Sequence, residues 1–375
     1  MLPQPPVWLI LIAFVCALGP IVFFHELGHY LVARAFRIPA ETFSIGFGHE
    51  IFGWTDKQGT RWKVGWLPLG GYVKFVGDMS PASTPVEESE IPTELRASAF
   101  QLRPVWQRFL VVLAGPAANF LLAILIFAAF FSFVGTPLAN TVGEIIPRSA
   151  AAAAGIQPGD RVVSIAGRPT PTFEDIARVV TVRPSEAVSV EIERGGTLRE
   201  IPVQLGSAEI GDATGRKMIA GVLGIKSTTK IGRPVPIYRG LVMGADQTVR
   251  MTGAIVDGLV QLVRGQVSVH QLGGPITIAR VAGQGAELGV FPFIWLLALL
   301  SINLGFINLL PVPMLDGGHL FFQIIEAVRR RPISARTLDW ASRGGVAVLL
   351  MLMVFVTLND LGSLGLWDRL QRLIG

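Results

Sequence analysis

His25 and His29 stand four residues apart in His25-Glu26-Leu27-Gly28-His29. On a helix, positions i and i+4 share a face about one turn apart, so both imidazoles can reach one Zn²⁺. Glu26 lies beside them and can take a proton from an attacking water. The pattern alone is loose. Its setting is not: Val7 to Phe24 is a run of 18 residues with no charge, and the motif follows directly. With the helix of the motif itself, that run is long enough to cross a bilayer. Ionisable groups in such a segment are costly and mark a functional site.

A third ligand must come from elsewhere. Asp316 and His319 both lie in LLPVPMLDGGHL, just past another apolar run. A carboxylate oxygen or a third imidazole would each leave a fourth position for water. The Pro-Met-Leu-Asp-Gly-Gly stretch should break the helix and can turn the Asp316 carboxylate inward. His49 and His270 fall in looser, polar contexts. The single cysteine, Cys16, excludes a disulfide framework and a cysteine-based zinc site.

The elements that must position these groups are membrane helices. Of the 375 residues, 51% are hydrophobic and 16% charged, and the mean hydropathy is +0.53. The net charge of +5 fits contact with the lipid bilayer. The basic residues form no aromatic-interleaved patch, so nucleic acid is not an expected partner. Four spans can be drawn: about Val7 to Phe36, Phe109 to Val134, Phe291 to Pro313 and Gly344 to Leu358. The N-terminal run lacks a basic leader and reads as retained. Basic residues concentrate between spans one and two, and between three and four, where Arg329, Arg330 and Arg331 stand together. The positive-inside rule puts both basic loops in the cytoplasm and both termini outside, against a weak contrary signal from Arg369 and Arg372. His25, His29 and Asp316 then fall at similar depth near the cytoplasmic face.

HELGH, AGPAANF at 114–120 and NLGFINLLPVPMLDGGH at 303–319 resemble the site-2 protease family of intramembrane zinc metalloproteases, in particular its bacterial RseP/RasP-like members. PLGGYVKF at 68–75, RPVWQRFLVVLAGP at 103–116 and LGGPITIA at 272–279 extend the likeness over nearly the whole chain. The resemblance implies His25, His29 and Asp316 as zinc ligands, Glu26 as base, and Asn303 and Asn308 as groups that hold substrate. It implies residence in the bacterial inner membrane. It also implies single-span substrates such as anti-sigma factors, already shortened outside, and remnant signal peptides. A zinc transporter and a silent membrane scaffold are the competing readings. The uncharged second span argues against a metal path, and the retained Glu26 against a scaffold.

The expected fold is a polytopic α-helical membrane protein with about four transmembrane helices, a membrane-associated β-region and an inserted α+β PDZ-like domain. The segments are residues 1–36, first helix with HExxH; 37–104, cytoplasmic loop with the β-region; 105–136, second helix; 137–228, PDZ-like domain outside; 229–290, amphipathic helical linker; and 291–375, third and fourth helices with LDGG. In the β-region, Asp56-Lys57-Gln58-Gly59 signals a turn between strand-like runs rich in aromatics. An exposed sheet edge could capture an unwound substrate, with Gly70 and Gly71 permitting close backbone approach and Tyr72 beside them. Residues 79–94 read as a loop. In the inserted domain, strands are expected around Val142 to Ile146, Arg161 to Ile165, Val188 to Ile192 and Ile201 to Leu205. The same region should hold a helix from Phe173 to Val180 and a small Ala-rich helix before Gly155. Its stretch GEIIPRSAAAAAGIQPGDRVVSIAGRPT resembles a circularly permuted bacterial PDZ domain.

Overall fold

A computed structural model describes residues 5–77, 96–135, 140–211, 217–227, 234–265 and 273–363. The loop 79–94, His270, Arg369 and Arg372 lie outside them. Among the described residues, four helices are long and apolar enough to cross a membrane: Val7–Ala35, Val105–Val134, Val290–Asn308 and Arg336–Gly362. The described residues divide into two units, one within Ala128–Met243 and the other within Gln4–Phe127 and Gly244–Gly375.

In the larger unit, helix α1 (Val7–Ala35) is followed by strands β1 (Ala40–Thr55) and β2 (Arg61–Phe75), joined by the turn at Asp56. Pairing shows that this hairpin folds back on itself. Residues 42–45 pair with 61–64 on one side and with 71–74 on the other, and 61–65 pair in turn with 50–55. The spatial order is therefore 50–55, 61–65, 42–45, 71–75, with 71–75 an edge. Gly46, at φ +84°, lies within the irregular stretch where the register shifts. Phe43, Phe75, Phe100 and Val111 pack with Tyr30 of α1 in one core. At the other end of the sheet Ile51, Phe52, Trp54 and Trp66 are exposed, as suits apolar and aromatic groups at a bilayer interface.

Helix α2 (Val105–Ala129) carries Pro116 inside it. It crosses α1 so closely that a Cβ on Gly28 would lie 2.3 Å from the Ala114 carbonyl oxygen. Small residues permit this approach in a membrane, where close packing replaces the hydrophobic drive. The same device places α6 (Pro275–Glu287) on α1, through Ala13, Ala17 and Ala282.

In the smaller unit, a π-turn (Phe130–Val134) is followed by β3 (Val142–Ile145), α3 (Ala150–Ala153), β4 (Arg161–Ile165), β5 (Arg168–Pro169), α4 (Phe173–Thr181), β6 (Ala187–Arg194) and β7 (Thr197–Gln204). The chain then forms β8 (Gly206–Gly211), β9 (Lys217–Val222) and β10 (Ile225–Ser227). The main sheet has the order β5-β4-β6-β7, and β10 pairs back onto β3. Alternating Val188, Val190 and Ile192 point into a core with Val162, Ile165, Ile176 and Val203. Thr172 and Asp175 form a capping box that starts α4. The last three strands were absent from the sequence expectation, because polar and glycine-rich runs such as GSAEIG carry little alternation.

The linker holds two helices, α5 (Ile237–Val263) and α6. Helix α7 (Val290–Asn308) stops before Pro311, short of the expected end at Pro313. Prolines at 311 and 313 have no amide hydrogen to carry a helix forward. Met314 then takes a left-handed φ of 80°, and a separate helix α8 (Asp316–Arg329) begins. Gly317 and Gly318 make this turn possible, since a Cβ on either would fall 2.2–2.4 Å from the carbonyl oxygens of Leu310 and Val312. Helix α9 (Ala335–Ser363) is longer than the expected span Gly344 to Leu358. Its charged first turns are helical, with Arg343 paired to Asp339 four residues back. Near its end, buried Asp360 accepts hydrogen bonds from the Gly274 and Thr277 amides and the Thr277 hydroxyl, capping α6 from another helix.

Candidate metal centre

His25 and His29 sit in the C-terminal half of α1, both turned towards α2 and the start of α8. His25 Nε2, His29 Nε2 and Asp316 Oδ2 form a triangle with sides of 3.3, 3.1 and 3.4 Å. A tetrahedral zinc ion with ligand bonds of about 2.0–2.1 Å would hold its ligands about 3.3–3.4 Å apart. Asp316 Oδ2 is buried without a hydrogen-bond donor of its own. Two imidazoles and a carboxylate are acceptable zinc donors. The residues fit the ion.

Second contacts orient the rings. His29 Nδ1 donates to the Val111 carbonyl at 2.8 Å, which leaves Nε2 to face the triangle. The acceptor lies in the turn of α2 that Pro116 loosens, since the proline offers no amide to Val112. The Asn119 amide lies 3.2 Å from His25 Nδ1. If His25 binds through Nε2, its Nδ1 carries the proton, and the amide orientation that presents Oδ1 accepts it. Asn119 is fully buried, and Ser301 of α7 donates to its backbone carbonyl at 2.8 Å. Asn119 belongs to AGPAANF and is not among the site residues expected from the sequence. Its signal in the sequence is that it is the lone amide of the uncharged stretch Phe109 to Val134.

The triangle opens onto a cavity of about 590 Å³ that also receives Glu26, Tyr72, Val73, Asn308, His319 and Gln323, within the usual range of about 300–1,000 Å³ for ligand pockets. Glu26 is 8% exposed, and the Val73 backbone amide hydrogen-bonds to its carboxylate. Gly71 allows that approach, since a Cβ there would lie 3.0 Å from Glu26 Cγ and 2.8 Å from Val22. Gly70 lines the same wall with φ +98°. Tyr72 stacks on Phe47 with ring centres 6.0 Å apart. Asn308 Nδ2 lies 3.4 Å from His25 Nε2. Asn303 is half-buried and does not line the cavity, although its neighbour Leu304 does, so it falls on another face of α7. His319 lines the cavity but stands outside the ligand triangle. His49 is exposed on β1.

Asp56 ties the hairpin to the helix that bears the histidines. It accepts hydrogen bonds from Tyr30 Oη, Trp62 Nε1 and the Gln58 and Thr60 amides. Burial would raise its pKa, but the Trp62, Gln58, Thr60 and Tyr30 donors outweigh it and hold the carboxyl below its ordinary value.

The model of peptidase family M50 matches residues 13–352. A protein of Agrobacterium fabrum named for zinc metalloprotease activity is 44% identical, over 94% of this chain and 96% of the relative. One of Rhizobium meliloti, similarly named, is 46% identical over 94% and 96%. The metalloprotease MmpA of Caulobacter vibrioides is 36% identical over 94% and 95%. Among solved structures, the PDZ domain of an SdrC-like protein of Listeria monocytogenes overlaps 24% of this chain and 90% of its own, at 16% identity and a TM-score of 0.19. The family match runs through both the HExxH helix and the LDGG turn, so this chain belongs to peptidase family M50 and is a zinc metalloprotease of the membrane.

Proposed function

We propose that the protein cleaves a peptide bond within or beside a transmembrane segment of a substrate protein, in regulated intramembrane proteolysis. The observation that carries this reading is the sheet edge 71–75 running beside Glu26 along the cavity wall. A membrane helix hides its amides in its own hydrogen bonds. An unwound segment laid along that edge would exchange them for strand pairing and bring one carbonyl to the site. His25, His29 and Asp316 would hold the zinc. When bound, zinc supplies a Lewis acid that polarises a peptide carbonyl and makes a water molecule acidic at neutral pH. Glu26 takes the proton from the attacking water and returns one to the leaving amine. Asn308 donates to the substrate backbone or the developing oxyanion. Val73 orients the Glu26 carboxylate, and the apolar walls exclude bulk water.

Anti-sigma factors shortened on the outer side and remnant signal peptides are the substrates the family resemblance suggests. The charge distribution supports a bacterial inner-membrane protein with its basic loops in the cytoplasm. The inserted α+β region would then act outside as a reader or filter of substrate. The test is reconstitution in liposomes with a single-span substrate. Zinc-dependent cleavage inside the span is expected, with the substrate retained uncut by Glu26→Gln. Cleavage confined to soluble peptides would overturn it.

A further inference from the structure

His319 stands one turn along α8 from Asp316, at i+3 on the same face. Side chains on a helix lean back towards its N-terminus, so the imidazole lies over the turn that carries Asp316. It lines the zinc cavity, and the charges of Asp316 and His29 act on it there. Among the described residues neither ring nitrogen has a hydrogen-bond partner, and neither is sealed from open space. An imidazole carries at least one N–H in either protonation state. The walls around it are largely apolar, with Val22, Val73, Phe75, Val111 and Val112, and an unpaired donor among such groups is costly. A donor is therefore open to the cavity beside the ligand triangle, on the Asp316 side. Asn308 Nδ2 stands on the His25 side, 3.4 Å from its Nε2. Glu26 faces the same cavity from α1, beside the 71–75 edge.

We propose that His319 is a catalytic residue that donates a hydrogen bond to the carbonyl oxygen of the scissile peptide. The inference rests on the reading that the triangle holds zinc and that Glu26 takes the proton of the attacking water. As the water oxygen bonds to the carbonyl carbon, an electron pair moves from the C=O bond onto its oxygen. Charge grows there, and the His319 N–H meets it from α8, while Asn308 meets it or the adjoining backbone from α7. When the C=O bond re-forms, the C–N bond breaks and the amine leaves with the proton held by Glu26. His319 gives up no proton, so its donor is present at every stage. One donor to such an oxyanion is worth about 10²–10³ in kcat.

The test uses the full-length, zinc-loaded protein in liposomes and a single-span substrate whose cleavage site is mapped by mass spectrometry. The second probe is a phosphinic peptide with the residues around that site, whose charged oxygens stand in for the oxyanion. His319→Ala should keep one zinc per chain, lower kcat about 100-fold and leave KM within about threefold. Its affinity for the phosphinic peptide should fall by the same factor as kcat/KM. His319→Gln, which keeps an N–H, should recover at least about tenfold of the lost kcat. Loss of zinc in His319→Ala overturns the proposal, because it marks a ligand or a structural role. So does a fall carried by KM, or a fall in kcat that leaves the affinity for the phosphinic peptide unchanged. A wild-type enzyme that cuts only soluble peptides overturns the intramembrane reading alone, and the same comparison on those peptides still decides the role of His319.

Discussion

Gly115 of α2 faces the His29 imidazole so closely that a Cβ there would lie 2.2 Å from Nε2. The His29 nitrogen that faces the triangle thus rests on a helix whose backbone is bare at that point. Gly115→Ala should push the ring out of the triangle and lower zinc affinity by at least about tenfold, the scale of lost ligand orientation. Gly258→Ala, with nothing within 4 Å of the added methyl, should bind zinc normally. Metal titration of the two purified variants checks the pair.

Glu26→Gln should abolish proteolysis and keep one zinc per chain, because Glu26 lies outside the ligand triangle. Asp316→Asn should lose metal and activity together, since a neutral amide is a poorer zinc donor. His319→Ala should be milder in metal content. Zinc measured alongside cleavage separates base from ligand. Full metal retention by Asp316→Asn with loss in His319→Ala would reassign the third ligand.

Asn119→Leu should weaken zinc binding about 10–100-fold without removing a ligand, as loss of a ring-orienting partner does. The buried leucine cannot accept the His25 Nδ1 proton. Zinc affinity from competition with a chelator is the measurement.

The Asp160–Arg194 pair should set the acid stability of the inserted region. Asp160 is buried, which raises its pKa, but two hydrogen bonds from Arg194 and one from the Gln157 amide outweigh burial and hold it below the ordinary value. A carboxyl depressed in the folded state stabilises above its unfolded pKa, about 3.9. That stability fades as pH falls through the lower folded value. Hydrogen-exchange protection of residues 140–211 in the full chain, with the intrinsic pH dependence of amide exchange divided out, should therefore be high at neutral pH and fall below about pH 4. Asp160→Asn should be less protected at neutral pH, with protection nearly flat across the same range.

Accessibility should follow the basic loops. In a chain with Cys16 replaced, a single cysteine at Gln58 should react from the cytoplasm and one at Arg168 from outside. The opposite pattern would invert the topology.

Several features were legible in the sequence because they depend on neighbours along the chain. Helical spacing put His25 and His29 on one face, and an uncharged run made the segment a membrane helix. Pro-Met-Leu-Asp-Gly-Gly marked a break before Asp316, though the third span ended earlier than expected, and Asp56-Lys57-Gln58-Gly59 marked the hairpin turn. Alternation found four strands of the inserted region. Other features depend on contacts far apart in sequence, and only the tertiary structure decided them. Asp316 reaches the histidines because Gly317 and Gly318 let α8 fold against the end of α7. Asn119 of α2 and Asn308 of α7 both meet His25 while Asn303 does not, because the packing of three helices selects which amides face inward. The hairpin became four sheet segments with 71–75 at the edge, since register is fixed by what each face packs against. Local periodicity fixes which residues share a face. Close approach of backbones, at Gly28, Gly71 and Gly115, fixes which faces meet.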